Sequence, residues 1–334
     1  MKILYLGNKL SQHGVNLTTI ETLGTNLTQA GFHVVSYSSI KNSFIRMLHM
    51  FYGILKHKNA SYILIDTYST SAFWFAFFCS QLARVLKISY IPILHGGNLP
   101  QRLLSHPKFC KLIFKNAYKN VSPSTYLKHH FDAFGVTNVI CIPNSVNLMD
   151  YHYLERSNFS PKLLWVRAFS TIYNPKMAID VLNLLQKKFP EATLTMVGPD
   201  KDGSLLETKN YAATLNLTVN FTGKLSKSEW TALAQAHDFF INTTHFDNTP
   251  VSVIEAMALG LPVFSTNVGG IPFLISHQKN GFLVPDSDAN EMAKQIENSI
   301  LFPVKTMEVV HNAKTFVGLF DWKVVKNEWM DILR

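Results

Sequence analysis

The chain has 334 residues, enough for one large domain or two of ordinary size. Hydrophobic residues make up 47% and charged residues 16%, a core-forming composition that excludes a disordered polar chain. The net charge is +9, yet residues 1–150 carry 14 Lys/Arg against 4 Asp/Glu, while residues 151–334 carry 17 against 18. Such a one-sided excess calls for an anionic partner in the first half. Nucleic acid, an anionic lipid surface and a phosphorylated small molecule all qualify on charge alone.

Met1 and Lys2 lead directly into ILYLG with no signal peptide visible, so a cytoplasmic protein is expected. The first half then repeats one pattern. Short apolar runs at Ile3–Leu6, His33–Tyr37, Tyr62–Ile65, Ser89–Leu94, Asn120–Ser122 and Val139–Ile142 alternate with helix-like segments. Between the first two runs, Ile20, Leu23 and Leu27 share a helical face that Gly31 terminates. The apolar stretch between Asp66 and Arg84 has only 17 residues and several hydroxyls; it is short for a membrane span and reads as a buried helix. Strand–helix repetition of this kind builds a parallel sheet covered on both faces.

The charged and aromatic stretch Tyr151–Pro161 reads as a linker, after which the pattern resumes. Strands are expected at Leu163–Val166, Thr193–Val197, Thr218–Phe221, Asp238–Asn242, Pro262–Ser265 and Phe282–Val284. A helix over Pro175–Lys188 is expected to be capped by Asn174, and another to cover Ser228–Ala236. The predicted fold is therefore α/β, with two Rossmann-like parallel-sheet domains facing a cleft at their carboxyl strand ends. The expected domains are 1–150, 151–315, and a closing helix over 316–334 whose Trp322 and Trp329 must be buried, with the first domain as the expected surface. Within that helix Phe320, Val324, Val325, Trp329 and Ile332 form the expected apolar stripe.

The most specific chemistry lies in Asp247–Gly270, DNTPVSVIEAMALGLPVFSTNVGG. Thr249 is placed to cap a helix, with Pro250 and Val251 in its first turn and Gly260 at its end. Backbone N–H groups at such a start favour an anionic oxygen. Asp247 precedes the helix and Glu255 lies on it, where carboxylates can accept from sugar or ribose hydroxyls; a turn residue and a solvated glutamate are the plainer readings. Arg167 follows the strand Leu163–Val166, where a guanidinium can bracket two phosphate oxygens. His95, in ILHGGN, ends a strand before two glycines that allow close backbone approach.

Two acidic residues separated by seven and followed by AMALGLPV resemble the signature of the retaining GT-B glycosyltransferases known as family 4, or glycosyl transferases group 1. Other pieces resemble that family in order: IPNSVN at 142–147, MVG at 196–198, FTG at 221–223, NVGGIP at 267–272, NGFLV at 280–284 and the F-x-W of the tail. The resemblance implies transfer of a sugar from a nucleoside diphosphate sugar to an acceptor hydroxyl with retained configuration. It implies that Glu255 holds the nucleotide ribose. It places Asp247 near the donor hexose, one methylene shorter than the family's usual glutamate. It implies a donor-sugar contact for His95, a diphosphate contact for Arg167 and for a lysine soon after it, and nucleotide-side positions for Gly198 and Gly223. The loop AFSTIYNPK is longer than the family's, so Lys176 is the nearest candidate for that lysine, while the alignment equally puts Met177 in its place. Gly14, in the loop after the first strand, matches the family's flexible glycine loop.

No tightly bound cofactor is expected, the sugar nucleotide being a substrate. His129 and His130 are adjacent and HExxH is absent, so no dedicated metal site is expected. GNKLSQHG is not GxGxxG, which removes the nicotinamide fingerprint. The basic residues Lys108, Lys111, Lys115 and Lys119 recur at helical spacing, and Lys41–Lys58 sets Arg46, Lys56 and Lys58 among apolar residues. These faces fit an anionic membrane surface, such as the inner face of the plasma membrane, or simply solvent. No nucleic-acid motif accompanies the charge. The acceptor is expected to be a saccharide, a lipid-linked saccharide or a small molecule, with cell-surface polysaccharide or glycolipid synthesis as the setting. A non-catalytic module of the same fold, binding a nucleotide sugar or a protein partner, is the competing reading.

Overall fold

The computed structural model describes residues 1–13 and 18–334. The chain divides into two units, Met1–Val146 with Phe320–Arg334, and Asn147–Leu319.

In the first unit the chain runs β1 (Lys2–Leu6), α1 (Thr19–Gln29), β2 (His33–Tyr37), α2 (Ser43–Lys56), β3 (Tyr62–Tyr68), α3 (Phe73–Val85) and β4 (Tyr90–His95). It continues through α4 (Leu99–Ser105), α5 (Pro107–Phe114), β5 (Asn120–Ser122), α6 (Thr125–Ala133) and β6 (Val139–Cys141). The strands pair in parallel in the order β2-β1-β3-β4-β5-β6. The order reverses at β1, so a switch point opens between β1 and β3 at their carboxyl ends. Both faces of this sheet are covered, which is why its strands read as apolar runs and not as alternations.

In the second unit β7 (Lys162–Val166), α7 (Pro175–Gln186), β8 (Thr193–Val197), α8 (Ser204–Thr214) and β9 (Asn220–Gly223) come first. Then follow α9 (Lys227–Ala234), β10 (Phe239–Asn242), α10 (Val251–Ala258), β11 (Val263–Thr266), β12 (Phe282–Val284), α11 (Ala289–Leu301) and α12 (Pro303–Val317). This sheet is also parallel, in the order β12-β11-β10-β7-β8-β9, with its switch point between β7 and β10. Its core joins Leu163, Trp165, Phe239, Ile241 and Phe264 of the strands to Met177, Val181 and Leu182 of α7.

The closing helix, α13 (Trp322–Ile332), belongs to the first unit. Val325, Trp329 and Leu333 recur every four residues and enter the core formed by Ile3 and Tyr5 of β1 and by Ile20, Leu23 and Leu27 of α1. The stripe expected from sequence is corrected at one position, because Val324 faces outward. Asp321 caps the helix by accepting from the Lys323 N–H at 2.8 Å, and Val146 N–H donates to Phe320 O at 2.9 Å.

Several local expectations change. Asn174 precedes α7 in the left-handed conformation, at φ +44°, and its side chain makes no cap bond; Pro175 starts the helix by its own fixed geometry. Helix α5 stops at Phe114, so the run from Lys108 to Lys119 does not lie on one helical face. Arg46 is internal, not part of a basic surface: its guanidinium donates to Ile40 O, Lys41 O and Asn8 Oδ1, each at 2.7 Å. The segment read as a linker is packed into the second unit, where buried Arg156 donates to His237 O and Gly260 O. Among the described residues no helix is long and apolar enough to cross a membrane.

Candidate active site

Three strand ends build one wall of the second unit's switch point. Arg167 follows β7 and its N–H donates to Val197 O at 3.0 Å. Gly198 follows β8 and its N–H donates to Gly223 O, at the end of β9, at 2.9 Å. A Cβ on Gly198 would sit 1.8 Å from the Arg167 carbonyl oxygen, and its φ of +152° is rarely adopted by side-chain-bearing residues. Glycine is therefore what allows the two strand ends to close together.

The Arg167 guanidinium lies over the Tyr173 ring, 4.2 Å from its centroid, and its Nη2 meets Asp247 Oδ2. Its Nε is buried and has no hydrogen-bond partner among the described residues. Burial pushes the guanidinium below its ordinary pKa, against the opposing pull of Tyr173. A buried cation with an unused donor matches an incoming anion, and the planar fork suits two phosphate oxygens.

Asp247 stands on the other side of the switch point, in the loop after β10. Two glycines hold that loop. Gly270 N–H donates to Asp247 O at 2.7 Å, and a Cβ on Gly270 would lie 1.9 Å from Asn248 O. Gly269 has φ +54°, with Asp247 O close against it. Asp247 Oδ1 accepts from the Asn248 N–H at 2.7 Å, so backbone on one side and Arg167 on the other orient the carboxylate. Helix α10 begins at Val251, with Pro250 at the cap position; Thr249 lies one residue farther out and does not cap it. The buried Ser252 hydroxyl in its first turn has no hydrogen-bond partner among the described residues.

Glu255 sits one turn into α10. Its Oε1 accepts from the Tyr151 hydroxyl at 2.6 Å and lies 3.6 Å from Lys227 Nζ. Lys227 also rests over the Tyr151 ring, 4.5 Å from its centroid. Burial raises the Glu255 carboxyl above its ordinary 4.5, while the Tyr151 hydrogen bond and the Lys227 charge pull it back. Gly260 then ends the helix at φ +78°, packed against Leu154 O.

The structure thus brings Arg167, Gly198, Gly223 and Asp247 to one set of strand and loop ends, with Glu255 on the adjoining helix. Lys176 is elsewhere engaged: its Nζ bonds Glu207 of α8 at 2.8 Å on an exposed surface. Gly14 lies outside the described residues. His95 ends β4 of the first unit, where its Nε2 is 2.8 Å from Asp66 Oδ1 and its ring stacks on Tyr68 at 4.9 Å. Among the described residues no group of three or more His, Cys, Asp or Glu is arranged to hold a metal ion.

Residues 155–315 match the family model of glycosyl transferases group 1. The chain is a glycosyltransferase whose residues 155–315 belong to that group. The matched segment holds Arg167, Gly198, Gly223, Asp247 and Glu255. This glycosyltransferase is 24% identical to an uncharacterized glycosyltransferase of Methanocaldococcus jannaschii over 326 residues, 91% of this chain and 90% of the relative. It is 24% identical over 233 residues to the amylovoran biosynthesis glycosyltransferase AmsK of Erwinia amylovora, covering 63% of this chain and 54% of that protein. The crystal structure of Anabaena HepE in complex with UDP-glucose superposes with a TM-score of 0.78 at 18% identity, covering 100% of this chain and 99% of that one. The fold of the glycosyltransferase is accordingly GT-B.

Three partners in the second unit were not expected from the sequence, Tyr173 under Arg167 and Tyr151 and Lys227 at Glu255, nor, in the first unit, was Asp66 behind His95. Tyr151 and Tyr173 gave no signal, being aromatics in segments read as linker and loop. Asp66 did carry one, as a lone carboxylate inside the apolar run YILIDTY.

Proposed function

We propose that this glycosyltransferase moves a sugar from a nucleoside diphosphate sugar to an acceptor hydroxyl, with the donor held by the second unit. The observation that carries the reading is the largely buried Arg167 guanidinium at the β7/β10 switch point, with Nε unpartnered among the described residues and Nη2 against Asp247. The departing diphosphate develops negative charge, and a preorganised guanidinium in a water-poor setting is worth far more there than in bulk water. Arg167 meets that charge, helped by the Thr249 and Val251 N–H groups at the start of α10; Pro250 between them has no N–H and fixes the backbone there. Asp247 releases Arg167 to the diphosphate and turns to the sugar hydroxyls. Glu255 accepts from the ribose. Gly198 and Gly223 keep the strand ends free of side chains, so that the nucleotide lies close to backbone.

By the family resemblance the sugar keeps its anomeric configuration and the leaving phosphate takes the acceptor proton. The UDP-glucose complex of HepE supports a uridine diphosphate sugar as the first donor to try, and the AmsK relative supports a saccharide acceptor in polysaccharide assembly. By the same resemblance His95 and Gly14 take part in the reaction, and the first unit binds the acceptor. Lys176 has its own partner in Glu207 and would have to leave it to reach a phosphate.

A finer part of the reading concerns location. Exposed Phe44, Ile45, Leu48, Tyr52 and Leu55 of α2 lie beside Lys56, with Lys41 and Lys58 flanking the helix, which supports a resting place on an anionic membrane surface at the inner face of the plasma membrane.

The test is a calorimetric screen of uridine, guanosine and adenosine diphosphate sugars, followed by transfer assays on saccharide and lipid-linked acceptors. One sugar nucleotide is expected to bind and to yield a glycoside. A folded protein that binds none of them would overturn the proposal.

A further inference from the structure

A second polar cluster lies in the first unit, where strand alternation brings it together. In the parallel register Tyr5 pairs with Leu64, and Tyr68 with His95. Side chains two apart share a face, so Tyr5, Asp66, Tyr68 and His95 converge on one side of the sheet near its carboxyl ends. That place is the β1/β3 switch point, the crevice where open α/β sheets take ligands.

The Asp66 side chain is fully buried, and among the described residues no lysine or arginine forms an ion pair with it. Its Oδ1 accepts twice, from the Tyr5 hydroxyl at 3.0 Å and from His95 Nε2 at 2.8 Å. Its Oδ2 has no hydrogen-bond partner among the described residues and points at Gly7, where a Cβ would come within 2.3 Å of it. Tyr5 remains a donor, since burial and then the Asp66 charge push its phenol well above its ordinary pKa. A carboxylate can only accept, so the hydrogen it shares with His95 belongs to Nε2. The Tyr68 ring, stacked at 4.9 Å, fixes the imidazole plane. Nδ1 is then the remaining nitrogen, with a lone pair and no hydrogen-bond partner among the described residues.

We propose that Asp66 is the positioning residue for His95, locking the Nε2–H tautomer so that Nδ1 accepts a hydrogen bond from a substrate hydroxyl. The functional half of this assignment rests on the glycosyl-transfer reading above. Tyr5 completes the arrangement by holding Oδ1 from the far side, and Gly7 leaves room for the carboxylate.

Histidine-labelled protein tests the assignment directly by nitrogen NMR, with the His95 signal identified through its loss in His95→Ala. The wild type is expected to show the Nε2–H tautomer, and Asp66→Ala a mixture of tautomers. Asp66→Asn, whose carbonyl still accepts from Nε2–H, is expected to restore the tautomer and most of the activity. In transfer assays Asp66→Ala is expected to lower kcat about 10- to 100-fold, the range set by a hydrogen bond to a charged group. The donor KM should change less, and the same substitution in a His95→Ala background should cost nothing further. An Nδ1–H tautomer in the wild type overturns the proposal even if Asp66→Ala fails to fold. Equal losses in both backgrounds overturn it too. A wild type that shows the Nε2–H tautomer but binds no sugar nucleotide counts against the transfer reading while supporting the Asp66–His95 pairing.

Discussion

Glu255 carries a carboxylate that is costly to ionise where it sits, and the second unit offsets that cost with one hydroxyl and one ammonium. Tyr151 donates at 2.6 Å and Lys227 stands at 3.6 Å, yet burial still leaves the carboxyl raised above 4.5. Only the ionised form accepts from a ribose hydroxyl with full strength. Donor affinity should therefore be complete at neutral pH and decline as pH falls through the raised pKa, in a window above the ordinary carboxylate value. Glu255→Gln should weaken donor binding about 10- to 100-fold at neutral pH and flatten that dependence, as read by titration across pH. The sequence showed Glu255 plainly, through its spacing from Asp247. It did not show Tyr151, because nothing local marks a tyrosine in a polar stretch as the partner of a glutamate 104 residues away.

At the scale of elements, glycines decide how closely strand ends and loops approach. Gly270 has its missing side chain facing Asn248 O, and that contact aims Asp247 at Arg167. Gly270→Ala should push the loop away, costing about 1–3 kcal/mol of stability. It should weaken donor binding more than its stability loss explains, measured by thermal melts beside titration. A melt and an affinity equal to wild type would show that the loop has room to spare. The strands were legible because a sheet covered on both faces produces apolar runs bounded by turn residues. Helix starts were less so. Asn174 and Thr249 are good capping residues in composition, but the backbone turns at Asn174 by a left-handed residue and at α10 by Pro250. The reach of Lys176 was also illegible, since its partner Glu207 comes from another helix.

For the whole molecule, the last fifteen residues return to the unit that began the chain. Trp329 joins β1 and α1 in one core, so the first unit is finished only when the chain's end is in place. Trp329→Ala should cost about 3–5 kcal/mol, in line with loss of a large buried aromatic. Because two units need not unfold together, hydrogen exchange is the better reading than a single melting curve. Protection should fall in β1 and α1 and persist in β7, β8 and α7. The two repeats of strand and helix were visible along the sequence, and the charge difference between the halves marked them as chemically distinct.

On this reading the second unit grips a sugar nucleotide by its diphosphate through Arg167. Calorimetric titration of wild type and Arg167→Ala, each with the intact donor and with the bare nucleoside, separates that grip from binding of the base and ribose. The substitution is expected to weaken the intact donor by about 10- to 100-fold, the loss of hydrogen bonds to a charged group, and to leave the nucleoside almost unchanged. Equal losses for donor and nucleoside would contradict the claim.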